Sequence, residues 1–162
     1  MPHYNILDLP NSKMNELVAK LKMTMKLYGG IGLSANQCGV QERVFVIGTD
    51  YFQMVCINPK IIEKSETTIK SEEGCLSYPG LYLKVGRPDR IKVRFQAAGG
   101  QVVEKEFDGL TAVCIQHEID HLDGIVYTDL VSPIKLEQAK RKVKSTLMKM
   151  QRATVPQEET TD

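Results

Sequence analysis

Residues 108–122 read Asp-Gly-Leu-Thr-Ala-Val-Cys-Ile-Gln-His-Glu-Ile-Asp-His-Leu, with a glycine at 124. The run predicts a helix from Asp108 to Leu122, ending near Gly124, with Leu110, Val113, Cys114, His117 and His121 along one face. Positions four apart on a helix differ by about 40° in direction, so both imidazoles can reach one metal ion. Glu118 projects about 100° away, too far round to be a natural third ligand from the same helix. It is well placed to move a proton between metal-activated water and a leaving group. This is the His-Glu-x-x-His pattern, and it takes two of the chain's three histidines, His3 being the other. Two surface histidines on an amphipathic helix are the plain alternative. That alternative is weakened because both fall on the apolar stripe, where an unpaired imidazole is costly. The helix reads as the centre of a metal-dependent amide hydrolase.

Upstream of it, the period of the sequence changes from helix to strand. Arg43–Gly48, Gln53–Asn58, Lys60–Ser65, Thr67–Glu72, Leu81–Gly86, Arg90–Gln96 and Val102–Phe107 are short β-branched or aromatic runs separated by turn residues. Such close succession favours antiparallel pairing, because parallel crossovers need a dozen or more residues. An N-terminal helix is expected from Asn11 or Ser12, with Met14, Leu17, Val18, Leu21, Met25 and Tyr28 at helical spacing and Gly29-Gly30 ending it. A C-terminal helix starts at Ser132-Pro133, and Leu136, Ala139, Val143, Leu147 and Met150 form its stripe. The expected fold is α+β: mostly antiparallel strands packed around the metal-binding helix, with one helix at each end of the chain. One domain over residues 1–152 is expected, the helix 133–152 included, followed by a flexible polar tail at 153–162.

The whole-chain properties exclude more than they identify. A chain of 162 residues fits one domain, and 42% hydrophobic with 25% charged residues is ordinary for a globular protein. A net charge of +1 gives no global case for nucleic-acid or membrane binding. No apolar run approaches membrane-spanning length, and Met1 to Leu9 lacks the pattern of a secretion signal. A cytoplasmic protein with no membrane partner is therefore expected. Cys38, Cys56, Cys75 and Cys114 show no paired spacing, which favours free thiols or metal ligation over disulfides.

Spacing alone leaves the third metal ligand open. Asp123 and Asp129 follow the motif, but no histidine does. Cys114 shares the face of the histidines yet lies about 10 Å along the axis from His121, which suits packing better than ligation. Cys56 sits in an apolar strand and reads as structural. Cys75 stands in the polar segment Glu73-Gly74-Cys75-Leu76-Ser77, just after a predicted strand, and is the preferred ligand.

Three segments together resemble the peptide deformylase family. Gly30-Ile31-Gly32-Leu33-Ser34-Ala35-Asn36-Gln37 is similar to the family's Gly-x-Gly-Leu-Ala-Ala-x-Gln; Glu73 to Ser77 matches its Glu-Gly-Cys-Leu-Ser; and Gln116 to Leu122 matches its Gln-His-Glu-x-Asp-His-Leu. The resemblance implies removal of the formyl group from the N-terminal formylmethionine of nascent polypeptides. It implies a divalent metal on Cys75, His117 and His121 with water or hydroxide in the fourth position, the open arrangement of a catalytic site. In the family that metal is commonly Fe(II), replaceable by nickel, cobalt or, with less activity, zinc. The resemblance further aims the Gln37 amide and the Leu76 N–H at the formyl oxygen and gives Glu118 the general acid/base role. Ile31, Gly32, Glu73 and Gly74 would border the bound peptide, and Leu110, Val113, Cys114 and the body of His117 would line a methionine pocket. Asp120 and Gln116 would orient the ligands or lie on the surface.

Ser34 departs from the family's usual alanine, a change expected to touch packing more than chemistry. The segment before Gly30 is shorter than in most members, as in compact bacterial and bacteriophage forms, so the expected setting is a bacterial cytoplasm or that of a phage-infected host. A monomer is expected. On the C-terminal helix, Lys135, Lys140, Arg141, Lys142, Lys144, Lys149 and Arg152 outnumber Glu137. This suits either a solvated face or, as in bacterial deformylases, docking on the ribosome.

Overall fold

Asn11 opens the first helix. Its Oδ1 accepts from the Met14 N–H at 2.7 Å, satisfying a donor that the first turn leaves without a partner. In the computed structural model, which describes residues 11–49 and 52–154, this helix α1 runs Ser12–Leu27. There follow β1 (Gly32–Ser34), a 3-10 turn (Ala35–Cys38), β2 (Val44–Gly48), β3 (Gln53–Lys64), β4 (Thr68–Cys75), β5 (Tyr78–Pro88), β6 (Arg90–Gln96) and β7 (Val102–Asp108). Helix α2 (Gly109–Leu122), a second 3-10 turn (Tyr127–Leu130) and helix α3 (Pro133–Thr154) complete the order. The fold is α+β, as expected, and every strand pair is antiparallel.

Five strands form one sheet in the order β1-β2-β3-β6-β7, and β4 with β5 form a separate hairpin. The run Val44-Phe45-Val46-Ile47 is apolar throughout because both faces of the sheet are covered. Val44 and Val46 face α1 with Met14, Leu21 and Met25, while Phe45 and Ile47 face α2 with Ala112, Ile115, Ile119 and Leu122. A third apolar cluster joins Leu81, Leu83 and Val85 of β5 to Tyr127 and to Leu136, Ala139 and Val143 of α3.

Several sequence boundaries shift, each for a local reason. The two runs read at Gln53–Asn58 and Lys60–Ser65 are one strand, β3, kinked where Asn58 takes φ 51° before a proline that lacks an N–H; the ladder slips between Ile57 and Lys60. Strand β4 continues through Gly74, so Cys75 is its last residue rather than part of a following loop. Strand β5 begins at Tyr78, three residues before Leu81, because Tyr78 pairs with Cys75 across the hairpin end. Short β1 lacked the length to register as an alternating run. Helix α2 is buried nearly all round rather than on one stripe, whereas Leu110, assigned to that stripe, is 72% exposed. On α3 the stripe joins the apolar cluster through Leu136, Ala139 and Val143, while Leu147 and Met150 are exposed. Ala153 and Thr154, read as tail, belong to α3, while His3 and residues 155–162 lie outside the described residues.

Candidate functional site

The end of the β4–β5 hairpin brings Cys75 against the C-terminal half of α2. Cys75 Sγ lies 3.2 Å from His121 Nε2, and His121 Nε2 lies 3.1 Å from His117 Nε2. The three donor atoms fall within 4.8 Å of one another, a thiol and two imidazoles converging on one point. That donor set and spacing fit a divalent transition metal with three protein ligands. Asp123 and Asp129, left open by spacing, are not part of this cluster.

The residues around the donors prepare them for ligation. His117 Nδ1 lies 2.9 Å from Glu73 Oε2; as the donor in that bond it leaves its Nε2 lone pair for the cluster. Glu73 is gripped in turn by Arg87, Nε to Oε1 at 2.5 Å and Nη2 to Oε2 at 2.9 Å, and Arg87 Nη1 reaches Asp120 Oδ2 at 2.7 Å. Burial raises the Cys75 thiol, but hydrogen bonds from His117, His121 and the Ser77 backbone outweigh it and bring the group down to about 5. Burial disfavours a charged His117, yet the partners Cys75 and Glu73 carry it up to about 9. Both shifts favour a charged pair, thiolate with protonated ring, and a cation at the three donors would take over the proton's place.

Glu118 is 3% exposed, and burial holds its carboxyl above the ordinary carboxylate range, against the opposing pull of His117 and the Ser34 hydroxyl. Gln37 hangs over the cluster from the first 3-10 turn. Its Nε2 lies 3.3 Å from Cys75 Sγ and 3.0 Å from Ser77 Oγ, while its Oε1 accepts the Ser34 N–H at 2.9 Å.

Of the residues assigned catalytic, metal-binding or substrate-binding roles in the sequence, all but His121 line one cleft of about 630 Å³. Ile31 and Gly32 line it from the start of β1, and Glu73, Gly74, Cys75 and Leu76 line it from the end of the β4–β5 hairpin. Leu110, Val113, Cys114, His117 and Glu118 of α2 form the floor. Gly32 is needed for close approach, but to the protein itself: a Cβ there would overlap Glu118 Oε1 and crowd Cys114 Sγ. At Gly74 a Cβ would meet the Tyr82 ring at 2.6 Å. The reading of Asp120 and Gln116 as surface residues gives way to Asp120 pairing with Arg87 and to a buried Gln116 whose Nε2 donates to the Pro88 and Ala112 carbonyls.

Sequence reasoning passed over Arg87, Ser71, Tyr78 and Tyr82. Arg87 carried a signal: it continues the alternation Leu81, Leu83, Val85 into an inward-facing position, where a cation must find buried partners. Ser34, expected to touch packing, also makes a polar contact: its hydroxyl hydrogen-bonds to the Glu118 carboxyl.

A family model described as polypeptide deformylase matches residues 3–137 of this chain. "Peptide deformylase 1" of Burkholderia multivorans is 44% identical over 140 residues, covering 85% of this chain and 77% of that protein. The peptide deformylase of Thermotoga maritima is 38% identical over 125 residues, covering 77% and 76%. Among solved structures, a peptide deformylase from Synechococcus elongatus in complex with actinonin superposes with a TM-score of 0.81 at 33% identity, over 87% of this chain and 78% of that one. One from Legionella pneumophila gives 0.80 at 34% identity, over 96% and 90%.

Proposed function

The chain belongs to the peptide deformylase family, a hydrolase removing the formyl group from N-formylmethionyl polypeptides, and from that membership we propose how its own residues do the work. Cys75, His117 and His121 hold the metal, and Glu118 carries the proton. The observation behind this reading is the convergence of those three donors beside the buried carboxyl of Glu118, in a cleft that Cys75, His117 and Glu118 all line. Fe(II) is the metal we assign, with nickel, cobalt or zinc able to take its place. A divalent cation there supplies Lewis acidity, making water a nucleophile at neutral pH.

The other steps belong to the chain. Negative charge builds on the formyl oxygen as its carbon is attacked. The Gln37 amide and the Leu76 N–H donate to that oxygen, each worth a few kcal/mol, roughly, in a water-poor site. Glu118 accepts a proton from the attacking water and delivers it to the departing methionine nitrogen, so formate leaves as the amine is released. A carboxyl that burial holds above its ordinary range is a better proton acceptor than a free one, which suits the first half of this role.

Substrate placement follows from two open strand edges. β1 ends the five-stranded sheet and β4 belongs to a two-stranded one, so Ile31, Gly32, Glu73 and Gly74 offer backbone on both sides of the cleft to an extended peptide. Leu110, Val113, Cys114 and the ring of His117 give the methionine side chain an apolar floor. All these groups come from one chain, so a single-domain monomer suffices. We place the protein in the cytoplasm; among the described residues no helix is long and apolar enough to cross a membrane. The exposed lysines of α3, with only Glu137 to oppose them, support salt-sensitive docking on the ribosome, close to the nascent chains.

Formate release from a formyl-methionyl peptide by anaerobically prepared protein tests the ligand set. Cys75→Ala is expected to lose the bound metal and formate release together. A Cys75→Ala protein that keeps both would exclude Cys75 as a ligand.

A further inference from the structure

Ser34 ends β1 and is fully buried with 0% exposure. Its hydroxyl oxygen lies 2.5 Å from Glu118 Oε2 and 3.0 Å from the Glu118 carbonyl oxygen. One hydroxyl carries one proton, so it donates to one of these at a time. The contact with the carboxyl has the short distance of a charge-assisted bond, which marks it as the stronger.

The two oxygens of Glu118 are thereby unlike. Oε2 is held from behind by Ser34. Oε1 lies beside Gly32, at a spot where even a methyl group on that glycine would overlap it, and Gly32 and Glu118 both line the cleft. A carboxyl free to rotate about its last bond exchanges its oxygens; one anchored at Oε2 presents Oε1. We infer that Ser34 is a positioning residue for deformylation, its hydroxyl fixing Oε2 of Glu118 so that Oε1 faces the reacting groups. The inference rests on Glu118 as the proton carrier. The Ser34 N–H also sets the Gln37 amide, but any residue at position 34 keeps that backbone bond except proline. Side-chain substitution therefore isolates the hydroxyl.

The test compares nickel-loaded wild type, Ser34→Ala, Ser34→Thr and Glu118→Gln for kcat, KM and bound metal, using a formyl-methionyl tripeptide. Ser34→Ala removes a single oxygen and is expected to lower kcat roughly tenfold, part of what a positioned acid/base contributes, with KM and metal content unchanged. Ser34→Thr, which keeps the hydroxyl, is expected to recover most of that loss. If the added methyl of threonine unfolds the chain, the alanine variant decides alone. Wild-type kcat in Ser34→Ala beside an inactive Glu118→Gln overturns this inference and leaves the role of Glu118 standing. An active Glu118→Gln overturns the reading beneath it. A fall in kcat matched by loss of metal, or a folded threonine variant no better than alanine, assigns Ser34 to structure and also overturns the inference.

Discussion

Towards the five-stranded sheet, α2 presents Ala112, Ile115, Ile119 and Leu122 to Phe45, Cys56, Val93 and Phe95. Towards the β4–β5 hairpin, the same helix presents His117, Asp120 and His121 to Glu73, Arg87 and Cys75. The first wall is apolar and non-directional; it determines where the helix lies and holds it there by excluding water. The second is ionic and directional; it determines which nitrogen of His117 faces the donors and how far the thiolate stands from both rings. A metal site needs both. Apolar packing alone would leave the imidazoles free to rotate, and ion pairs alone stabilise little once their desolvation is counted. Side chains that chemistry must aim are on the hairpin wall, and those that must only stay put are on the sheet wall.

The sharpest way to break this distinction is to damage each wall separately. Ile115 is fully buried in the sheet-side core, and Ile115→Ala is expected to cost about 2–5 kcal/mol of stability, read by denaturant unfolding. The folded fraction should bind metal nearly as well as wild type. Glu73→Gln acts on the other wall. With Asp120 still pairing Arg87, the chain should fold, while metal affinity falls about 10–100-fold as His117 loses the carboxylate that orients it. If Ile115→Ala weakens metal binding as much as Glu73→Gln does, the division of labour is wrong.

A smaller effect sharpens the contrast without mutation. In metal-free protein Cys75 is a thiol brought down to about 5, so alkylation should rise through that pH as the thiolate forms and level off by neutrality. Burial raises Cys56 and Cys114, and Cys38, though exposed, is raised above the ordinary 9.0. At neutral pH one thiol should therefore react, and bound metal should protect it. Equal labelling of Cys38 and Cys75 at pH 6, read by peptide mass spectrometry, would show that the hairpin wall does not tune the thiol.

The two walls also differ in how legible they are in the sequence. Ile115 and Ile119 announce burial, and the run Val44–Ile47 announces a strand covered on both sides. His117, Glu118, His121 and Cys75 could be read because few chemistries need those groups at such spacing. Glu73 entered through its neighbours in the resemblance, but its link to Arg87 did not. That bond depends on β5 extending three residues beyond the expected start and two beyond the expected end, which places Arg87 inward. Ser34 was invisible for a related reason. A serine in place of alanine looks like a change of volume until β1 is seen to pass behind Glu118. Long-range polar contacts have no local period, so they surface only when the register is known.

The central claim is that Glu118 moves the proton at a metal held by Cys75, His117 and His121, and metal-replete Glu118→Gln tests it most directly. With bound metal and formate release measured on the same sample, the account predicts one metal per chain and turnover reduced roughly 10²–10⁴-fold. Full metal content with wild-type turnover would contradict it.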